Sequence, residues 1–141
     1  MSYYFQIMDQ DFHIEPEKLK GAHEALLKFA ENNVEAYVRY HPCTNEEIEA
    51  TCESWMKSPE RLMFDLGYSI EDFTGNGGID YIHLEHEKYC DEDRIIFETI
   101  APFVADGSFV QYMGEDGYMW RYTFKNGKCI EQYPEIKWVD Q

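Results

Sequence analysis

The segment HLEHEKYC, residues 83–90, gathers the residue types that hold zinc. On a helix, His83, His86, Glu87 and Cys90 fall at i, i+3, i+4 and i+7 and share one face. On a strand the set divides, with His83, Glu85 and Glu87 on one side and His86 on the other. Gly77-Gly78 before it, the Tyr81-Ile82 bias toward β structure and an acidic helix start from Asp91 select the strand. No metal centre is therefore expected.

The other reactive pairs are weaker still. His41 and Cys43 are separated by Pro42, and no orienting acid or G-x-C context marks a nucleophile with its base. TGNGG has neither the G-x-G-x-x-G spacing nor the lysine of a phosphate loop. Glu115 and Asp116, between Gly114 and Gly117, supply two carboxylates where calcium takes at least six oxygens, so this loop reads as the crest of a β-hairpin. No catalytic residue and no cofactor is assigned. What remains is Arg121, flanked by Trp120 and Tyr122, on a face expected to carry Met119, Tyr112 and Thr123 as well. An arginine among aromatics has the composition of a binding hot spot, and Arg121, Trp120, Tyr122, Met119 and Tyr112 are the expected binding set.

Apolar periodicity lays out the elements that must position these groups. A first strand is expected near residues 3–8. Leu19, Ala22, His23, Leu26, Phe29 and Ala30 recur at helical spacing behind Pro16 and predict a helix over 16–32. VEAYVRY, 34–40, alternates as a short strand. Thr44 and Glu47 form a capping box ahead of Ile48, Cys52 and Trp55, predicting a second helix over 45–57 that Ser58-Pro59 stops. RLMFDLGYSIEDF is assigned one or two short strands, and a third helix is placed at 92–101 behind acidic residues 91–93.

Residues 108–113, 118–125 and 128–133 read as a three-stranded antiparallel meander, with K-N-G-K as a strong two-residue hairpin signal. Tyr118, Trp120, Tyr122 and Phe124 share one face of the middle strand. A two-residue first turn pairs Met113 with Tyr118 or with Trp120, and both registers add Phe109, Gln111 and Met113 to the aromatic face. The second turn adds Cys129, Glu131 and Tyr133. EIKWVDQ is left as a last strand or tail. The fold class is α+β: about three helices on one face of a largely antiparallel sheet, with residues 1–141 as a single acidic domain.

Composition agrees with a packed core, since 11 Tyr, 9 Phe and 3 Trp are far from the profile of disordered acidic chains. No basic leader and no apolar run of ~18–20 residues is present, which predicts a cytoplasmic protein without a membrane span. Cys43, Cys52, Cys90 and Cys129 lack C-x-x-C spacing and are expected as free thiols. Charge is the dominant global feature: 28 Asp and Glu oppose 12 Lys and Arg, a formal −16. A small domain stays soluble with about 2 to 8 net charges. Such an excess disfavours direct contact with nucleic-acid phosphate and favours a basic surface, such as that of a nucleic-acid-binding protein.

IFETIAPFVADGSFVQYMGEDGYMWRYTFKNGKC, with MSYYF and TNEEIEATCESW, resembles an uncharacterised family of small bacterial and phage proteins that share the pattern I-A-P-[FY]-V-x-x-G-S-[FY]-[IV]-x-x-x-G-E-D-G-x-x-W-R-[WY]-x-F-x-x-G-K. Here it falls on Ile100 to Val104, Gly107 to Val110, Gly114 to Gly117, Trp120 to Tyr122, Phe124, Gly127 and Lys128. The resemblance implies an intact domain, brings no activity, and suggests by association a role in phage or mobile-element conflict. The expected function is a non-catalytic binding protein whose acidic surface docks a basic partner, as an inhibitor or nucleic-acid mimic. The alternative is a small-molecule or metal-dependent enzyme with its site between helices and sheet. A third course, self-association through the aromatic sheet face, stays open.

Overall fold

The computed structural model describes residues 3–33, 44–86 and 92–141. The strand expected at 34–40, His41, Cys43, Glu87 and Cys90 lie outside the described residues. Strand β1 (Phe5–Asp11) opens the fold, and helix α1 (Pro16–Glu31) starts on its proline as expected. Helix α2 (Asn45–Lys57) carries the anticipated capping box: Glu47 N–H donates to Thr44 Oγ1 at 3.1 Å and Thr44 N–H to Glu47 Oε2 at 3.2 Å.

The next segment corrects the first part of the expectation for RLMFDLGYSIEDF: a helix precedes its one short strand, Tyr68–Glu71. Ser58 and Pro59 do not merely stop α2; they begin α3 (Pro59–Leu66). Ser58 Oγ accepts from Arg61 N–H at 3.1 Å, proline takes the first helical position where its missing donor costs nothing, and Gly67 ends the helix at φ +111°. A short hairpin of β2 (Tyr68–Glu71) and β3 (Tyr81–Leu84) follows, then α4 (Glu92–Ile100) and a 3₁₀ turn at Ala101–Phe103. Four α-helices, rather than about three, are thus present among the described residues.

The C-terminal meander is present as β4 (Phe109–Gly114), β5 (Met119–Lys125) and β6 (Lys128–Gln132). With β1 added at the β4 side, the sheet order is β1-β4-β5-β6, antiparallel throughout. Lys125 pairs with Lys128 across Asn126 (φ +53°) and Gly127 (φ +74°), the two-residue turn read from the sequence. EIKWVDQ forms no strand.

The first hairpin overturns the expected face. Met113 pairs with Met119, so three residues, Glu115 to Gly117, turn the chain instead of two. Asp116 Oδ1 accepts from Tyr118 N–H at 3.1 Å and Gly117 takes φ +82°, which stabilises the longer loop. One residue of register exchanges every side chain between faces. Val110, Tyr112 and Gly114 therefore join Trp120, Tyr122 and Phe124 on the core side, while Phe109, Gln111 and Met113 go to the other side with Met119, Arg121 and Thr123.

The described helices pack on the core face. Ala22, Leu26 and Ala30 of α1, Leu62, Met63 and Leu66 of α3 and Ile96, Phe97 and Ile100 of α4 pack with Phe5, Phe12, Val110, Tyr122 and Phe124 in one buried cluster. Each large side chain buried there contributes roughly 1.5–3 kcal/mol. The small sheet is tied to the large one through Ile14 and Ile79, which exchange two backbone hydrogen bonds of 2.9 Å. Gln10 extends that seam: its carboxamide donates to Ile82 O at 2.7 Å and accepts from Ile82 N–H at 2.9 Å.

Candidate functional site

The expected binding set is split by the pleat of β5. Arg121 is exposed and Met119 half-buried on the outer face, but Trp120, Tyr122 and Tyr112 point into the core. Tyr112 was expected beside Arg121; the three-residue turn places it on the opposite side, opposite Trp120. Arg121 donates through Nε to Gln132 Oε1 at 2.7 Å. It lines a groove of about 500 Å³ whose walls are Gln111, Met119, Gln132 and the segment Tyr133-Pro134-Glu135 as it leaves β6. Beyond, Ile136, Trp138 and Val139 are exposed, Trp138 almost wholly.

His83 lies on β3 and His86 just beyond its end, and the two meet different acids. His83 Nε2 lies 3.5 Å from Glu71 on the neighbouring strand, and His86 Nε2 lies 3.2 Å from Asp93 of α4. Among the described residues no three metal-binding side chains converge. His86 packs tightly against Gly67, where an added Cβ would lie 2.2 Å from its ring, and its ring also meets Phe5 and Tyr68.

Asp93 is the residue the sequence reading missed. The sequence groups it with the acids of a helix start, yet it is buried. The signal was there: Asp93 stands at i, i+3, i+4 and i+7 with Ile96, Phe97 and Ile100, on the apolar stripe itself. Near it, Tyr68 and Tyr112 share a buried hydroxyl–hydroxyl hydrogen bond of 2.8 Å. Burial first, and then nearby groups that include the Asp93 charge, push both phenols well above the usual tyrosine range. A cleft of about 520 Å³ opens between β1 and β3, lined by Phe5, Ile7, Gln10, Ile82, His86 and Glu115 among others.

The acid pair of the GEDG loop fastens the fold. Tyr3 Oη donates to Asp116 Oδ1 at 2.5 Å and lies over Gly114, where an added Cβ would fall 1.6 Å from that oxygen. Any side chain at 114 would evict Tyr3. The hydrogen bond to Asp116 raises the Tyr3 phenol to about 12 and lowers the Asp116 carboxyl.

Exposed glutamates line α1 and α2, although α1 also carries Lys18, Lys20 and Lys28. Glu17, Glu24 and Glu31 recur every seven residues on α1, and Glu46, Glu49 and Glu53 follow at i, i+3 and i+7 on α2. Glu53 pairs with Lys57 at 2.8 Å, and among the described residues none of the other five has a cation within salt-bridge distance. Glu31 stands close enough to α2 for its charge to add to the burial that raises the Cys52 thiol. No helix among the described residues is long and apolar enough to cross a membrane. No family model, curated protein or solved structure matches the chain.

Proposed function

We propose that this chain is a binding domain whose acidic helical surface docks a basic protein, and that the partner class is proteins that themselves bind nucleic acid. The observation that carries this reading is the pair of exposed glutamate rows on α1 and α2, of which only Glu53 is in an ion pair among the described residues, in a chain of net charge −16. Unneutralised like charges repel and add nothing to folding, so their accumulation is accounted for by a partner that supplies the cations. Acids seven residues apart on a helix stand about 10.5 Å from one another. DNA carries a phosphate per 3.4 Å of each strand, so a single row is a sparse imitation and the combined helical surface is the unit of recognition.

The test is a competition assay: the protein is added to a panel of nucleic-acid-binding proteins on labelled DNA, and DNA release is read against salt. Release that weakens steeply as salt rises supports the reading, and release indifferent to salt removes it.

A second reading, a small-molecule or acid–base site in the β1–β3 cleft, is favoured by one observation: His86 lines that cleft with the buried Asp93 carboxylate 3.2 Å away. It requires ligand-dependent shifts of the His86 ring resonances in a fragment screen by NMR; a screen without them excludes it.

A further inference from the structure

A third concavity lies at the hairpin end of the sheet; it shares Trp120 and Tyr133 with the Arg121 groove and no lining residue with the β1–β3 cleft. It encloses about 350 Å³ and is walled by Tyr3, Asp116, Tyr118, Trp120, Glu131 and Tyr133. Four aromatic rings and two carboxylates make up the whole wall. They come from four places in the chain: the residue run entering β1, the GEDG crest, β5, and β6 with its exit.

The rings are arranged as a cage rather than a stack. Tyr118 lies 6.2 Å from Trp120 and 6.0 Å from Tyr133, centroid to centroid, at interplanar angles of 31° and 43°. Trp120 is held from beneath by Tyr112 and Phe5, whose rings stack on it at 5.5 and 5.7 Å. Tyr118 and Tyr133 are 52% and 57% exposed, so a ligand can reach their rings. Single exposed aromatics need no explanation, whereas rings converging on one cavity do.

Two of the phenols are tied to the two acids. Tyr3 donates to Asp116, and Tyr133 is hydrogen-bonded to Glu131. Those contacts raise both phenols, so the tyrosines stay neutral while the carboxylates carry the charge. Arg94 is the cation at the edge, 3.7 Å from Glu131, but it also pairs with Glu98 at 3.3 Å. Asp116 has no such counter-ion among the described residues.

Aromatic faces are electron-rich, and fixed carboxylates beside them add a full negative charge; that combination selects organic cations over neutral or anionic groups. We propose that this cavity is an aromatic cage for an alkylammonium group, and that its occupant is a lysine side chain, free or Nε-methylated, on the docked partner. The lysine assignment rests on the docking reading above and deepens it: the acidic helices supply long-range attraction and the cage supplies a specific anchor. An aromatic-walled pocket of this kind is where interface energy concentrates.

The cage is tested without any partner. ¹H–¹⁵N spectra of the full chain are recorded against Nα-acetyl-lysine amide, its Nε-trimethyl form, a neutral isostere with tert-butyl in place of trimethylammonium, and choline. The expected result is shifts confined to the Trp120 indole and to residues 116–120 and 131–133, with the trimethyl form binding about tenfold more tightly than its neutral isostere. Tyr118→Leu and Tyr133→Leu, at exposed rings, weaken it about tenfold while the remaining spectrum is preserved.

Equal binding of the neutral isostere, shifts elsewhere, or no shifts at millimolar ligand would overturn the cage. Choline binding more tightly than both lysine compounds would overturn the lysine assignment. Because these ligands do not need the acid rows on α1 and α2, failure here leaves the docking reading standing. Loss of DNA competition with ammonium binding intact would refute docking alone.

Discussion

Two clusters in this molecule use the same chemistry, tyrosine beside carboxylate beside tryptophan or phenylalanine, in opposite settings. In the core, Tyr68 and Tyr112 bond to each other under Phe5, Phe97 and Trp120, with Asp93 and His86 at the margin. At the hairpin end, Tyr3 and Tyr133 bond to Asp116 and Glu131 around an open cavity. Burial is what separates them. In the core, every polar group must find a partner inside the protein, and removing one strands the other. At the surface, water substitutes for any lost partner, so the same bonds hold little folding energy and leave the rings available to a ligand.

The largest effect that sharpens this contrast is at Trp120, which belongs to both clusters. Trp120→Ala empties the stack of Phe5 and Tyr112 and costs about 3–5 kcal/mol in urea denaturation. Its sequence neighbour Arg121, on the outer face, changes stability by about 0.5 kcal/mol or less as Arg121→Ala. Comparable losses at the two positions would contradict the alternation that buries Trp120 and exposes Arg121.

Next in size is the buried hydroxyl pair. Tyr112→Phe leaves the Tyr68 hydroxyl without its partner and costs about 1–3 kcal/mol, while the double change with Tyr68→Phe costs less than the two single losses added together. Tyr3→Phe, at the surface, costs about 1 kcal/mol or less. A strictly additive cycle in the core would show that the two hydroxyls are satisfied separately.

The smallest effects are read by pH. Tyr68 and Tyr112 have folded pKa values raised above the unfolded value near 10, so their contribution is complete below pH 10 and is lost as pH rises beyond it. Tyrosine absorbance at 295 nm should show these two ionising only with unfolding, whereas Tyr3 titrates near 12 in the folded chain. Asp116 is lowered, so its contribution is present above the unfolded value near 3.8 and is lost as pH falls through the lower folded value. Asp116→Asn should therefore flatten the acid limb of the stability profile and bring the Tyr3 phenol back down from about 12.

Much of the fold was legible in short-range chemistry. The Thr44–Glu47 box and the Asn126-Gly127 turn each name their own geometry, and both stand as read. Ser58-Pro59 misled because one dipeptide serves as the end of α2 and, through the Ser58 cap and Pro59 at the first helical position, as the start of α3. The first hairpin misled because the turn length depends on an Asp116 side-chain bond and on Tyr3, 113 residues away, seated over Gly114. That single residue of register moved Tyr112 from the expected binding face into the core.

The candidate sites were less legible for the same reason. Trp120 stands in the expected binding set, but the other residues around the proposed cage come from positions 3, 116, 118, 131 and 133, a set that the sheet order assembles. Asp93 was visible as an acid on an apolar stripe, although nothing local names His86 as its partner.

Central to the account is the claim that the glutamate rows on α1 and α2 are a docking surface. The most direct measurement compares the chain with a Glu24→Gln, Glu31→Gln, Glu46→Gln, Glu49→Gln variant, in DNA competition against basic nucleic-acid-binding proteins across a salt series. These side chains are exposed, so the fold is retained. The account predicts that the variant competes far more weakly at low salt and that its salt dependence is shallower. Undiminished competition by the variant, or a matching loss when four acids are neutralised elsewhere on the surface, would contradict it.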